Sequence, residues 1–454
     1  MIFTDKLFQD ERVSRARHKI LFNLPFWIGA GLIALVSVGY NKLFAICEEF
    51  ALRHAHDGLL LWTAPLALLA SFLIGHFFSK EAIGSGIPQV IVSVELAERK
   101  SSYLEKLLSI PMLLAKIAGS CICVLGGGIT GREGPTLQVS AAIFYQLNRI
   151  WPKSLARPQL PAFILAGGAA GLASAFNTPL GGVVFAIEEL AKTHISLIRT
   201  AIFQAVIIAG ILAQIFLGNY LYIGETHFGQ FPFATFVQTI LIAAIVGAIS
   251  SVFSEGLYRI TKWRAKQNLT LKIVMTLLCG VALSGVYYFC GSETAGAGKT
   301  IMQQLLDPNT VAVPDFLLPI ARILGNFFTY IGGVIGGVFA PSLASGAALG
   351  QQLSLLFGFE SVRLMVLVGM VAFLTGLTRT PFTSFVLVLE MSSSHEVILY
   401  LMLSSIVANL AAKLCFKDSF YEQAAHDIIT RVMPPEAHAS VASQPHSVAN
   451  KDSI

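Results

Sequence analysis

Charge is what this sequence of 454 residues has least of. Asp, Glu, Lys and Arg together make up only 13% of the residues, against roughly 25% in ordinary soluble domains, and 55% of the residues are hydrophobic. So little charge excludes the soluble globular class. The composition instead predicts an all-α membrane protein whose chain crosses the bilayer several times.

Apolar stretches near or above the ~20 residues that cross a bilayer recur along the chain. They lie at residues 21–46, 59–78, 107–125, 201–217, 236–252, 273–289 and 397–414. Four further apolar runs are too short to span alone, at residues 85–96, 135–147, 179–190 and 381–391. This mixture of long and short runs predicts an irregular bundle of tilted helices.

Cysteine is also rare, and its positions exclude a metal centre. The six cysteines lie mostly within apolar stretches and show no metal-ligand spacing: Cys47, Cys121, Cys123, Cys279, Cys290 and Cys415. The histidines are likewise scattered without ligand spacing. We expect buried, unreactive thiols and no bound metal.

The sequence offers no motif for covalent chemistry or nucleotide binding. Lys299 and Thr300 end a segment that looks like a phosphate-binding loop, but Glu293 stands where such a loop requires its first glycine. No nucleophile with a base beside it occurs in the apolar stretches. We therefore expect a protein that is not an enzyme, needs no cofactor, and binds neither nucleotide nor nucleic acid.

Basic residues indicate the topology. The N-terminal segment carries more charge than a cleaved signal peptide, with Lys6, Arg12, Arg15, Arg17 and Lys19 before the first apolar run. The positive-inside rule places this segment in the cytoplasm, together with the basic stretches near residues 99–100, 149–157, 192–199 and 262–272. Residues 220–230 lack Lys and Arg and are expected to face outward.

The chain divides into three parts on this interpretation. Residues 1–20 form a cytoplasmic N-terminal segment, and residues 21–430 form the transmembrane domain. Residues 431–454 form a polar cytoplasmic tail that we expect to be disordered and too short for a regulatory domain.

Three pentapeptides with a common outline interrupt the apolar stretches: GSGIP at residues 84–88, GREGP at 131–135 and GVFAP at 337–341. Glycine permits a sharp turn, and proline fits the first turn of a helix. Each segment therefore predicts a helix that begins inside the membrane, where its free N–H groups and dipole suit an anion. Because irregular backbone at bilayer depth must be packed in protein or line a cavity, we expect the three to converge on one anion pathway. The residues concerned are Gly84, Ser85, Gly86, Ile87, Pro88, Gly131, Arg132, Glu133, Gly134, Pro135, Gly337, Val338, Phe339, Ala340 and Pro341.

An internal repeat supports this expectation. The segment GGGITGREGP at residues 126–135 matches GGVIGGVFAP at 332–341, and residues 171–179 followed by Glu188 match 373–381 followed by Glu390. A weaker match relates residues 84–86 to 296–298. Two halves with broken helices at matching positions, at residues 21–217 and 232–414, are typical of a transporter with its binding site at the repeat interface. The sequence does not by itself show whether the halves are parallel or inverted.

Four charged residues within or beside apolar runs need an explanation. Glu133, at a helix start inside the membrane, costs about 2.5–3.5 kcal/mol on insertion scales and is a functional residue by default; the alternative is a salt bridge with Arg132. Glu188 and Glu189 lie near the inner end of a helix, where an ion pair with Lys192 is the alternative. Lys116 either faces inward or snorkels to the interface.

With these segments in view, the chain resembles the CLC family of chloride channels and chloride/proton antiporters over about residues 21–430. The three pentapeptides match the filter signatures of that family, and a C-terminal helix places Tyr421 where the family has its last filter residue. The resemblance implies a homodimer with one pore in each subunit, built from two inverted repeats of tilted helices in the cytoplasmic (inner) membrane, with both termini in the cytoplasm.

The resemblance also implies roles for individual residues. The hydroxyls of Ser85 and Tyr421 and the backbone N–H groups of Val338 and Phe339 would bind a central chloride. Serine rather than proline at position 85 goes with chloride rather than nitrate. Glu133 would be the gating glutamate. Neutral donors suit conduction, because a full cation would hold the anion too tightly.

Two further implications concern the mode of transport and its rate. The second acid of the pair, Glu189, would accept protons from the cytoplasm, and a glutamate there favours an antiporter; the alternatives are Glu188 in that role and a passive chloride channel with the same pore. The segment YIGGVIG at residues 330–336, which begins with Tyr330, replaces the small, serine- and alanine-bearing lead-in that the family often has before its third signature, and this bears on conductance and transport rate.

Overall fold

The structure is a computed structural model of the chain. It describes residues 2–55, 57–99, 101–152, 158–191, 200–218, 221–224, 226–229, 231–310 and 312–432. Within these residues helices account for nearly all regular structure and no β-strand forms. The predicted all-α fold class is confirmed.

The described residues of the first half form nine α-helices. They are α1 (Ile2–Arg53), α2 (Leu60–Phe78), α3 (Ile87–Glu98), α4 (Leu104–Leu107), α5 (Ile110–Leu125), α6 (Glu133–Ile150), α7 (Leu160–Phe176), α8 (Pro179–Phe185) and α9 (Thr200–Leu217). The short apolar run at residues 179–190 does not form one regular α-helix. Helix α8 ends at Phe185, and Ala186–Leu190 form a π-helical turn.

The second half contains nine more α-helices among the described residues. They are α10 (Ala234–Ala265), α11 (Leu269–Cys290), α12 (Lys299–Leu306), α13 (Leu317–Ile331), α14 (Phe339–Leu356), α15 (Val362–Thr378), α16 (Pro381–Ser392), α17 (Ile398–Cys415) and α18 (Phe420–Val432). Helices α1 and α10 extend well beyond the predicted apolar runs. Six helical stretches in the described chain are long and apolar enough to cross a membrane.

The packing repeats along with the sequence. Helix α6 packs on α7 as α14 packs on α15, and α1 packs on α9 as α10 packs on α17. The pairs α2–α5 and α11–α13 correspond in the same way. The residues that link the repeats also agree, since Asn177 and Arg379 both take the left-handed conformation, with φ of 61° each, before the prolines that start α8 and α16. The internal repeat predicted from the sequence is therefore a repeat of structure.

Small residues let the central helices approach closely. A Cβ atom on Gly346 of α14 would lie 2.3 Å from the backbone oxygen of Gly369 on α15, so a larger residue at position 346 would push the two helices apart. Close helix packing through small residues is the usual means of association at bilayer depth. This close packing of α14 on α15 positions the first turn of α14.

Candidate functional site

The three pentapeptides meet in the middle of the molecule. The backbone N–H of Gly84 donates to the oxygen of Val334 at 2.9 Å, and Gly131 and Gly337 exchange two N–H···O bonds of 2.8 Å each. The pairing of Gly131 with Gly337 is antiparallel. Equivalent segments of the two halves thus run past each other in opposite directions, as expected for an inverted repeat. The starts of α3, α6 and α14 converge on one place.

Glycine is required where two of these segments cross. A Cβ atom on Gly134 would lie 2.5 Å from both the backbone oxygen and the hydroxyl of Ser85. Gly86 has a φ of 102°, and a Cβ atom there would lie 2.7 Å from the oxygen of Gly134. Only a residue without a side chain permits this approach of α3 to α6.

Two buried hydroxyls lie at this junction. Ser85 is 1% exposed and Tyr421, on α18, is fully buried. Their hydroxyls are neighbours, yet neither meets hydrogen-bond geometry with any described residue. Buried polar groups almost always have partners. Two neighbouring hydroxyls can satisfy only one of their two O–H donors by pairing with each other, so the site points to a ligand that accepts hydrogen bonds.

Ser85 does not cap α3, although serine fills that role well. The N-cap is Gly86, and the side chain of Gln89 accepts a hydrogen bond from its backbone N–H at 3.0 Å. Ser85 is therefore not the N-cap, and its hydroxyl is not used in capping. Val338 and Phe339 are fully buried at the start of α14, where the first N–H groups of a helix have no intrahelical acceptor.

The carboxylate of Glu133 lies at the same junction. Glu133 is fully buried, and its Oε1 accepts a hydrogen bond from the Tyr222 hydroxyl at 3.3 Å, while its Oε2 lies directly against Gly131. The Arg132 guanidinium turns toward α1, donates to the backbone oxygen of Asn41 at 3.2 Å and stands 6.0 Å from the centroid of the Phe44 ring. An acidic side chain thus occupies the place where the three helix starts meet.

Two buried cations support the glycine turns. Lys116 is fully buried and donates to the backbone oxygens of Ala82 at 2.7 Å and Gly84 at 2.8 Å, so the snorkelling interpretation is wrong. In the second half Arg322, also fully buried, donates to the oxygens of Thr294 and Gly296 at 2.6 and 3.0 Å, and to that of Ala297 at 3.0 Å. The sequence singled out Lys116 but gave Arg322 no role.

The π-helical turn directs two adjacent acids to different places. Glu188 caps α16, because its carboxylate accepts from the N–H groups of Phe382 and Thr383 at 3.1 and 2.6 Å. Glu390 caps α8 in return, accepting from Leu180 and Gly181 at 3.2 and 2.8 Å. A π-helical turn shifts the register of the side chains and often marks a functional site.

Glu189 is 1% exposed and lies within electrostatic reach of Tyr421, which Glu133 reaches as well. Both acids thus lie in the surroundings of Tyr421. Lys192, the alternative partner of the acid pair, lies outside the described residues.

Tyr330 lies beside the first pentapeptide, residues 84–88. Its hydroxyl accepts a hydrogen bond from the backbone N–H of Ser85 at 3.3 Å, and its ring packs edge-on against Phe420, with centroids 5.4 Å apart. The sequence marked Tyr330 as unusual but did not place it beside Ser85. No cluster of metal-ligating side chains occurs in the described part of the chain.

Comparison with known proteins agrees with these features. Residues 66–413, well over half of the chain, match the family model described as voltage gated chloride channel. The protein called H(+)/Cl(-) exchange transporter ClcA from Citrobacter koseri is 29% identical over 443 residues, covering 92% of this chain and 90% of its own length. The protein of the same name from Salmonella agona is 29% identical over 411 residues, covering 84% of this chain and 83% of its own.

Solved structures show the same fold. The crystal structure of a slow cyanobacterial Cl-/H+ antiporter superposes with a TM-score of 0.76 at 21% identity, covering 90% of this chain and 98% of that one. A CLC-type fluoride/proton antiporter gives a TM-score of 0.73 at 19% identity, covering 89% and 97%. The family predicted from the three pentapeptides is confirmed: the chain belongs to the voltage-gated chloride channel (CLC) family.

Proposed function

We propose that the chain exchanges chloride for protons, moving the two ions in opposite directions across the cytoplasmic membrane of a bacterium. The observation that carries this proposal is the junction of three helix starts, where two neighbouring buried hydroxyls that bond to no other described residue lie near a buried carboxylate. The exchangers named ClcA, at 29% identity over most of both chains, support it. The chemistry is transport without covalent change.

Chloride is bound by neutral donors. The hydroxyls of Ser85 and Tyr421 and the N–H groups of Val338 and Phe339 surround the ion, and the positive helix ends add a moderate attraction of roughly 0.3–1 kcal/mol each. Lys116 is held by backbone oxygens and adds positive potential without contacting the ion. The binding is therefore firm enough for entry and weak enough for release.

Glu133 couples the two ions. Its ionised carboxylate competes with chloride for the outer part of the pathway, and its protonated form swings away and lets chloride pass. Glu189 passes protons to and from the cytoplasm, while Glu188 is engaged as the cap of α16. This arrangement favours Glu189 over Glu188 as the inner proton site.

The orientation follows from charge. Lys262, in the basic stretch of α10, forms an ion pair with Asp427 of α18 at 3.0 Å, so α18 lies on the side of the membrane that holds this stretch. Together with the basic N-terminus, this ion pair supports a cytoplasmic position for both chain ends.

A homodimer completes the proposal. Helices α8, α9, α16 and α17 carry large apolar side chains that are about two-thirds exposed, among them Leu180, Ile215, Phe382 and Leu399. A second copy of the chain covers this face, and lipid covers the remaining surface. Cross-linking in native membranes tests the dimer, and a purely monomeric pattern would contradict it.

Reconstituted proteoliposomes test the function. An imposed chloride gradient should drive protons in the direction opposite to the chloride movement. Proton movement and chloride flux are measured together. A chloride flux without proton movement would instead establish a passive channel.

Three variants assign the roles. Glu133→Gln and Glu189→Gln should each pass chloride without protons. Glu188→Gln should keep the coupling, because Glu188 caps α16. If Glu188→Gln loses coupling and Glu189→Gln retains it, the assignment of the inner proton site is wrong.

A further inference from the structure

An outward segment of the chain reaches the carboxylate of Glu133. Residues 221–224 follow α9, in the stretch that the sequence places outside the membrane. The side chain of Gln303 on α12 donates to the backbone oxygen of Tyr222 at 3.1 Å, and the N–H of Ile223 donates to the oxygen of Met391 on α16 at 3.3 Å. Two helices of the second half thus hold this segment over the start of α6.

The side chain of Tyr222 is buried and well supported. It is 2% exposed, and its ring packs edge-on against Phe176, with centroids 5.2 Å apart. Phe176 in turn packs against Phe339, with centroids 5.4 Å apart. The ammonium group of Lys299 stands 5.5 Å from the centroid of the Tyr222 ring. These contacts fix the direction in which the hydroxyl points.

We propose that Tyr222 is a latch for the gate: its hydroxyl, donating to Glu133 Oε1 at 3.3 Å, holds the ionised carboxylate in the pathway. The proposal deepens the proposed function, because it rests on Glu133 as the gate. A hydrogen bond to an ionised group is stronger than one to a neutral group. The latch therefore acts mainly on the ionised gate and loosens when Glu133 takes up a proton.

Other charged and titratable groups also face Glu133. They are Arg132, which precedes α6, Tyr40 and Glu48 on α1, and Tyr421 on α18. Among them Tyr40 is a matched control, because it is a buried tyrosine near Glu133 whose hydroxyl pairs with Ser120 Oγ at 2.6 Å instead.

The sign of the effect follows from the bond. Loss of a donor to the ionised carboxylate makes protonation easier, so the gate opens at a higher pH. Tyr222→Phe should move the pH of half-maximal chloride flux upward by about one unit, which is about a tenfold change in the gate equilibrium. Tyr40→Phe should leave that pH unchanged.

The experiment measures chloride efflux from proteoliposomes between pH 4 and pH 8, for the wild type and both variants. A wild-type midpoint in Tyr222→Phe would overturn the latch. Gln303→Ala, which frees the backbone of the same segment, should shift the midpoint in the same direction by a smaller amount. An unchanged midpoint in Gln303→Ala would count against the proposed support of the segment.

A second background separates gating from conduction. In Glu133→Ala no gate remains, so adding Tyr222→Phe should leave the chloride flux as it is. A further change there would show that Tyr222 acts on the pathway itself and would overturn the latch. Chloride flux is measured without reference to protons, so the latch is tested even if proton counter-transport, and with it the proposed function, fails.

Discussion

The two halves of the molecule use the same device for different ends. We call residues 84–86 the filter loop and residues 296–298 the mirror loop. Both have two glycines with positive φ, 83° and 102° in the filter loop and 73° and 91° in the mirror loop. Both precede a helix, and a fully buried cation bonds to the backbone of each: Lys116 donates to the oxygen of Gly84, and Arg322 donates to the oxygens of Gly296 and Ala297. Duplicated sequence has produced duplicated backbone geometry.

The two loops differ in the acceptor that hydrogen-bonds to the backbone N–H of the middle residue. In the mirror loop the N–H of Ala297 donates to the carboxylate of Glu48 at 2.6 Å, so an anion that belongs to the protein satisfies it. In the filter loop the corresponding N–H, of Ser85, donates to the neutral hydroxyl of Tyr330. The Ser85 hydroxyl has no counterpart in Ala297. One loop is closed by a built-in anion, and the other keeps a donor for an anion that moves.

The buried cations test this comparison with the largest expected effect. Lys116→Met and Arg322→Met each leave backbone oxygens without donors, at about 1–3 kcal/mol for each buried group, so both should lower the free energy of unfolding by several kcal/mol. Denaturation in detergent measures the loss. Only Lys116→Met should also weaken chloride binding in calorimetry. Equal effects of both variants on chloride affinity would break the comparison.

The Ser85 hydroxyl gives the next effect. Ser85→Ala makes the filter loop resemble the mirror loop and should weaken chloride binding about 10- to 100-fold, because a hydrogen bond to a charged group contributes about 1.5–3 kcal/mol. Ser93→Ala, on the helix α3 that follows the filter loop, is the control, since that hydroxyl donates to the backbone oxygen of Gln89. Titration of both variants with chloride would refute the role of Ser85 if their affinities agree.

The helix caps formed by Glu188 and Glu390 test a feature in which the two halves remain alike. Glu188→Ala should lower the free energy of unfolding by about 1–2 kcal/mol, as loss of an N-cap does, and Glu390→Ala by a similar amount. Chemical denaturation measures both. A loss confined to one variant would show that the two caps are not equivalent, and that the repeat has diverged here as well.

The smallest effect belongs to Glu48. Glu48→Gln keeps an oxygen acceptor for Ala297 but removes its charge, which should cost about 0.5–1 kcal/mol of stability. Chloride affinity at Ser85 should stay the same. A large gain in chloride binding would mean that the mirror loop can itself take up a free anion.

The sequence predicted the parts of this site that lie in short segments. The three pentapeptides, the internal repeat and the charged residue Glu133 within the membrane region are visible in short stretches of sequence. Each can be interpreted physically without knowledge of tertiary contacts. Lys116 was recognisable because a cation within an apolar run needs an explanation. Arg322 has the same role in the second half. Its spacing from Gly296 is six residues shorter than the spacing of Lys116 from Gly84, and this difference hid the correspondence.

Contacts between distant segments were not predictable. Tyr222 lies 89 residues from Glu133, and Tyr330 lies 245 residues from Ser85. Tyrosines are common in membrane helices and loops, and nothing in their neighbourhood marks the carboxylate or amide that they meet. The π-helical turn was missed for another reason. It changes the register of the side chains by one residue, and no short sequence pattern marks such a change.

The central claim is that an anion binds between the filter loop and α18. Crystals grown or soaked in bromide test it directly, because bromide gives an anomalous signal. The account predicts a peak within hydrogen-bond reach of the hydroxyls of Ser85 and Tyr421, and none at Ala297, where Glu48 already stands. A bromide peak at the mirror loop with none beside Ser85 would contradict it.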